Sequence, residues 1–197
     1  MEALRLIKTA RHALAETRNI PDVLAEARQA ALLAEAVGTR LAREEDGELV
    51  GLGSLLAEAA MHAACCLDHA TGDVAAVSAF GPGSRARRLG DLGELGPMLD
   101  ELAGLLRDIG ETLVVLACGA DTESLYWACI DGVDAGAECT QLVGQLRDAV
   151  RRIEGERPGE AESAERLLVL ELEPPGQRAA AGPPSSSVEE VVAAPVA

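Results

Sequence analysis

The most constraining feature of this chain is an apolar run that steps by three and four without a slip: Leu92, Leu95, Leu99, Leu102, Leu106, Ile109, Leu113, Leu116 and Ala120. Such steps keep side chains on one face of an α-helix, and a face this long is a heptad seam that must be buried against other helices. Pro97 lacks an N–H and cannot lie deep in a helix, so the main helix is expected to start near it, with Leu92 to Leu95 as a preceding turn. Gly119 to Thr122 closes the helix, and Asp121 or Thr122 supplies a cap for the next one.

That next helix is expected over about Glu123 to Glu154, on a seam of Leu125, Cys129, Gly132, Gly136, Cys139, Val143, Leu146, Val150 and Ile153. The short connection makes the two helices an antiparallel hairpin. Gly132 and Gly136 lay backbone bare on the seam, where a neighbouring helix can approach closely. Glycines inside a helix cost roughly 1 kcal/mol each against alanine, which a packing gain has to offset. On this reading Gly136→Leu overpacks the bundle and is severely destabilising.

The first half of the chain carries shorter versions of the same pattern. Ala3, Leu6, Ile7, Ala10, Ala13 and Leu14 predict a helix from about Glu2 to Thr17. Pro21 falls in the first turn of a second helix that runs to about Arg43 on an alanine-rich seam. Glu44 to Glu48 reads as an acidic turn. A third helix follows, about Leu52 to Ala70, with Leu52, Leu56, Ala59, Ala63, Cys66 and Ala70 on its apolar face. Val74 to Phe80 is expected to add a short turn of helix, and Gly81-Pro82-Gly83-Ser84 is a loop. After Gly155 the composition shifts to Pro, Gly, Ser and Glu, too little apolar surface to fold alone, apart from an island at Leu167 to Leu172. The expected architecture is therefore all-α: an antiparallel helical bundle of about five helices over residues 1–154, then a disordered, acidic, Pro/Gly/Ser-rich flexible tail over residues 155–197.

Only 2% of the residues are aromatic, so the core has to be built from Ala, Leu and Val. The formal net charge of −16 is spread over both parts, and such a surface repels nucleic acid and anionic lipid, so neither nucleic acid nor membrane is expected as a partner. The run Leu113 to Ala120 is far below the ~20 residues of a helical membrane span. Five cysteines, an odd count without a CxxC, read as reduced thiols in a cytoplasmic protein.

Four readings of chemistry compete with a plain helical scaffold. Glu58, His62, Cys65 and His69 share one stripe of the third helix, and His62, Cys65 and His69 are the metal-ligating alternative, against a solvated face. Cys65-Cys66 point about 100° apart in a helix and cannot form a disulfide there. No GxSxG, P-loop, GxGxxG or HExxH is present, so an enzyme is not favoured and no cofactor is expected. Arg85, Arg87 and Arg88 are expected to pair with nearby Asp91 and Glu94.

The candidate binding residues are Tyr126 and Trp127, the only Tyr and only Trp, with Asp131, Asp134 and Glu138 along the following stripe. Tyr126 is expected at the core edge. Trp127 is expected under the first helix or under Val74 to Phe80; if open, it is an aromatic anchor ringed by acids that receives a basic partner or the chain's own tail.

Glu123-Ser124-Leu125-Tyr126-Trp127, with Cys129, Ile130, Asp131 and Asp134, resembles a segment of an uncharacterised actinobacterial family of small helical proteins; Arg5-Leu6-Ile7 and Ala34 to Leu41 are similar too. The resemblance covers roughly Met1 to Arg152, and the loop around Gly81 to Arg88 departs from it. It implies a compact helical fold and carries over no catalytic residue. The expected function is a non-enzymatic interaction or regulatory protein with an unknown protein partner, self-association into a homo-oligomer being left open. The alternative is a bundle that binds a metal ion or small ligand.

Overall fold

A computed structural model describes the backbone of residues 2–71 and 84–172 and the side chains of residues 2–68 and 84–155. The Val74 to Phe80 turn, the His69 side chain and the end of the tail lie outside the described residues. Among the described residues five α-helices carry the fold: α1 (Glu2–Glu16), α2 (Ile20–Leu41), α3 (Gly47–Thr71), α4 (Leu95–Cys118) and α5 (Glu123–Leu172), with a 3-10 turn at Ala86–Arg88. No strand occurs among the described residues.

The helix starts follow local chemistry. Asn19 caps α2, its side-chain oxygen accepting from Asp22 N at 2.9 Å, and Pro21 sits in the first turn. Helix α3 begins at Gly47, about five residues earlier than its apolar pattern suggests. Asp46 is a cap, not a turn residue: its Oδ1 accepts from the backbone N–H groups of Glu48 at 2.9 Å and Leu49 at 3.0 Å. Thr122 Oγ1 accepts weakly from Leu125 N at 3.4 Å at the start of α5.

The chain divides into two units, Met1–Glu156 and Arg157–Ala197. In the first, contacts between named residues fix the helix directions. Arg152 forks onto Glu48 at 2.6 and 2.7 Å, and Gly132 lies against Leu67, so α3 and α5 are antiparallel. Arg147 pairs with Asp100 while Gly132 lies against Leu113, so α4 and α5 form the expected antiparallel hairpin. Leu33, Leu56, Leu99, Leu102 and Leu146 are fully buried in a core to which all five helices contribute. The second unit starts within α5, whose helical backbone runs to Leu172 rather than ending near Glu154. Pro158 is unfavourable in a helix interior, but Ala, Glu, Leu and Arg dominate residues 160–172 and are strong helix formers.

Among the described glycines the close backbone approach of two helices is between α2 and α3. A Cβ built on Gly38 would lie 2.6 Å from Ala57 N, and one on Gly53 would lie 2.7 Å from Ala42 N. Further along the same pair, Arg28 is buried to 1% exposure and forms an ion pair with Asp68, its Nη2 donating to Oδ2 at 2.8 Å. By length and composition the stretch Gly47–Asp68 of α3, with a mean hydropathy of 1.5, is apolar enough to cross a membrane. Here Leu49, Leu56, Ala60 and Leu67 of that stretch are packed into the core.

Two expectations need correction. A Cβ on Gly136 meets nothing within 4 Å, so the clash expected of a side chain there does not arise; the close position on α5 is Gly132, 3.1 Å from Leu113 Cδ1 and Leu67 Cδ2. Arg85 pairs with Glu26 of α2, not with Asp91 or Glu94, because the 3-10 turn lays it against α2. Asp91 instead accepts from Gly93 N, at a residue whose positive φ of 71° suits glycine.

Candidate functional site

One side of the α4–α5 hairpin faces the core, and the other forms an open groove of about 480 Å³. The α4 wall is Ala103, Arg107 and Gly110; the α5 wall runs through Val133, Ala137, Thr140 and Gly144 to Arg147. These residues belong to second three-and-four series, one per helix, each beside the inward seam. On α5 that series begins at Tyr126 and Ile130, one residue after the inward Leu125 and Cys129. Its small side chains leave a trough: a Cβ on Gly110, Gly136 or Gly144 meets nothing within 4 Å.

Tyr126 lies on the same α5 series two turns before Val133, beyond the groove lining, and Trp127 lies about 100° further around the helix. Tyr126 is 42% exposed and Trp127 53% exposed, so Tyr126 is not tucked at the core edge and Trp127 is not covered by α1. Their rings meet edge to face, with centroids 5.3 Å apart and planes at 81°. The indole N–H of Trp127 donates to Glu123 Oε1 at 3.3 Å, one turn back. On α4, Val114 and Val115 are exposed too, so apolar surface gathers at this end of the hairpin.

The acids predicted beside Trp127 are all exposed, but they divide between two directions. Asp131 is on the side of α5 toward α3, where its charge reaches Cys66. Asp134 and Glu138 continue along the solvent face. Arg107 and Arg147 are the charged residues of the groove wall itself, so the trough carries cations in an otherwise acidic chain.

The other candidate residues give no comparable site. Among the described residues no three His, Cys, Asp or Glu side chains converge to hold a metal ion. His62 Nε2 lies 3.6 Å from Cys66 Sγ, one helical turn on, rather than sharing a ligand with Cys65. Burial first, then the Asp131 and Cys65 charges, push the Cys66 thiol up, away from thiolate reactivity. Burial likewise raises Cys129, and raises Cys139 to about 11. None of the five cysteines forms a disulfide.

Between α1 and α4, Arg11 lies over Gly104 and ties two carboxylates on α4, at 2.7 Å to Glu101 and 2.8 Å to Asp108. Those hydrogen bonds, to Glu101 first, hold the guanidinium proton more tightly than usual. The spacing of Glu101, Gly104 and Asp108 explains the clasp: one turn on each side supplies an acid, and the glycine leaves room for the cation. This arrangement joins two helices and presents no open acid–base pair.

Fold and groove together define an α-helical bundle with an open two-helix face. Residues 1–166 match the family of unknown function DUF6099, and the chain belongs to that family. No curated protein and no solved structure matches it.

Proposed function

We propose that this protein is a non-enzymatic, cytoplasmic interaction module that binds a helix of a protein partner along the α4–α5 groove. The observation that carries this reading is the open, small-residue trough between α4 and α5, with the exposed Tyr126–Trp127 pair beyond its lining at the start of α5. Large aromatic side chains are the usual anchors of interfaces, and small residues let a second helix backbone come close. Five cysteines that form no disulfide suit the cytoplasmic placement.

The experiment is a photo-crosslinking residue at Ala137, on the groove floor, in the full chain expressed in its native cell. A matched chain carries it at Glu58, an exposed site on α3. Protein adducts from position 137 and not from position 58 are expected. Equal or absent adducts at both positions would refute a binding groove.

A further inference from the structure

The α5 wall of the groove is a complement of itself, and we propose that its occupant is a second copy of the chain, with its α5 lying antiparallel across the first. This rests on the groove being a helix-docking face and adds the identity of what docks.

The argument starts from size. Along the outward series of α5, the large residues are at one end: Tyr126, Ile130 and Val133. Ala137 and Thr140 form the middle, and Gly144, Arg147 and Arg151 the other end. A two-fold axis between Ala137 and Thr140 sets each large residue against a gap or a long flexible stem. Val133 meets Gly144 of the second copy, and Ile130 lies along the methylenes of its Arg147. Tyr126 faces its Arg151, which suits a guanidinium on an aromatic ring. Parallel pairing in register would set tyrosine on tyrosine and arginine on arginine.

The distribution of charge along α5 favours the same orientation. Residues 121–140 hold five acids, Asp121, Glu123, Asp131, Asp134 and Glu138, and no base. Residues 141–153 hold Arg147 and Arg151 on the outward series, each already paired within the chain, to Asp100 and Asp148, while Arg152 turns to Glu48 of α3. An antiparallel pair lays the acidic half of each helix beside the basic half of the other, whereas a parallel pair doubles both repulsions. An isologous interface of this kind closes at two subunits.

The test uses the purified full chain in sedimentation equilibrium. A dimer that dissociates on dilution is expected. Gly144→Leu is the diagnostic variant, because its Cβ meets nothing in its own chain while the side chain fills the space for Val133 of the second copy. It is expected to weaken dimerisation at least tenfold without lowering the melting temperature of the dilute, monomeric chain. Register is read by mixing Arg151→Glu with Tyr126→Lys: the mixed dimer keeps one native pair and gains a Lys–Glu pair, so it should exceed either homodimer by about tenfold. A monomer at all concentrations, a dimer indifferent to Gly144→Leu, or a statistical mixture would each overturn the proposal. If foreign proteins are still captured at position 137 while the pure chain is monomeric, the groove reading stands and the second-copy assignment falls. If position 137 captures nothing, both fall.

Discussion

Gly38 and Gly53 meet backbone to backbone: a Cβ added to Gly38 would lie 2.7 Å from the carbonyl oxygen of Gly53, and one on Gly53 would lie 2.9 Å from that of Gly38. A methyl at Gly38 cannot be accommodated by rotating a side chain, since Ala57 N and Gly53 O are main-chain atoms. Gly38→Ala is expected to destabilise by about 2 kcal/mol, even though alanine is the better helix former. Urea unfolding gives the number, and a neutral result would mean that α2 and α3 are farther apart than described here.

Gly136 gives the opposite expectation. Nothing lies within 4 Å of its Cβ position, so Gly136→Ala gains the helix propensity difference, about 1 kcal/mol, without a clash. The same denaturation series checks it, and the sign relative to Gly38→Ala is the decisive reading.

The Arg28–Asp68 pair is asymmetric, because Arg28 is 2% exposed at its side chain and Asp68 34%. Asp68→Asn leaves a guanidinium charge in the core, while Arg28→Met leaves a carboxylate that water still reaches. Breaking a fully buried pair costs about 3–5 kcal/mol, and the partial exposure of Asp68 lowers the expected loss to about 2 kcal/mol. Asp68→Asn should be the more damaging of the two; equal losses would show that both ends are equally dry.

Stability should fall at both ends of the pH scale for identifiable reasons. Hydrogen bonding from Arg152 holds the Glu48 carboxyl below its ordinary value, so its contribution is present above the unfolded-state value and lost as pH drops through the folded one. Arg152→Gln should flatten that part of the acid limb. Burial raises the Cys139 thiol from 9.0 to about 11, so its contribution is present below pH 9.0 and lost as pH rises toward 11. Cys139→Ala should remove that alkaline component from melting curves. In the folded chain a thiol reagent should label exposed Cys65 and Cys118 and spare Cys129 and Cys139 until unfolding.

Trp127 reports its own environment, being the sole tryptophan. At 53% exposure its emission in dilute, monomeric protein should be red and readily quenched by acrylamide. Blue, protected emission under those conditions would show the Tyr126–Trp127 pair to be covered.

Much of the bundle was legible in the sequence because leucine carries its own periodicity. The α4 seam through Leu99, Leu102 and Leu113 is buried where its spacing placed it. The glycines were not legible in the same way. Gly38, Gly53 and Gly136 all interrupt helical patterns, and only the position of the neighbouring helix tells which is pinned and which is open. Arg28 hid for a related reason: a charged residue in a helix reads as solvated until its partner, forty positions along, is brought beside it. Asp46 did carry a signal, an acid just before the new helix, but the surrounding acids disguised the cap as a turn. The groove series was hidden by its own chemistry, since Ala137, Thr140 and Gly144 have too little apolar bulk to register as a face.

The close crossing of α2 and α3 has a consequence for recognising distant kin. Side chains can drift while a fold persists, but a position that touches another main chain has no volume to trade. Any descendant that keeps this crossing must keep residues 38 and 53 without a side chain or move the two helices apart. A search for remote relatives that weights those two sites and their antiparallel pairing would therefore follow the ancestry of the bundle more faithfully than its leucines, which any helical protein can supply.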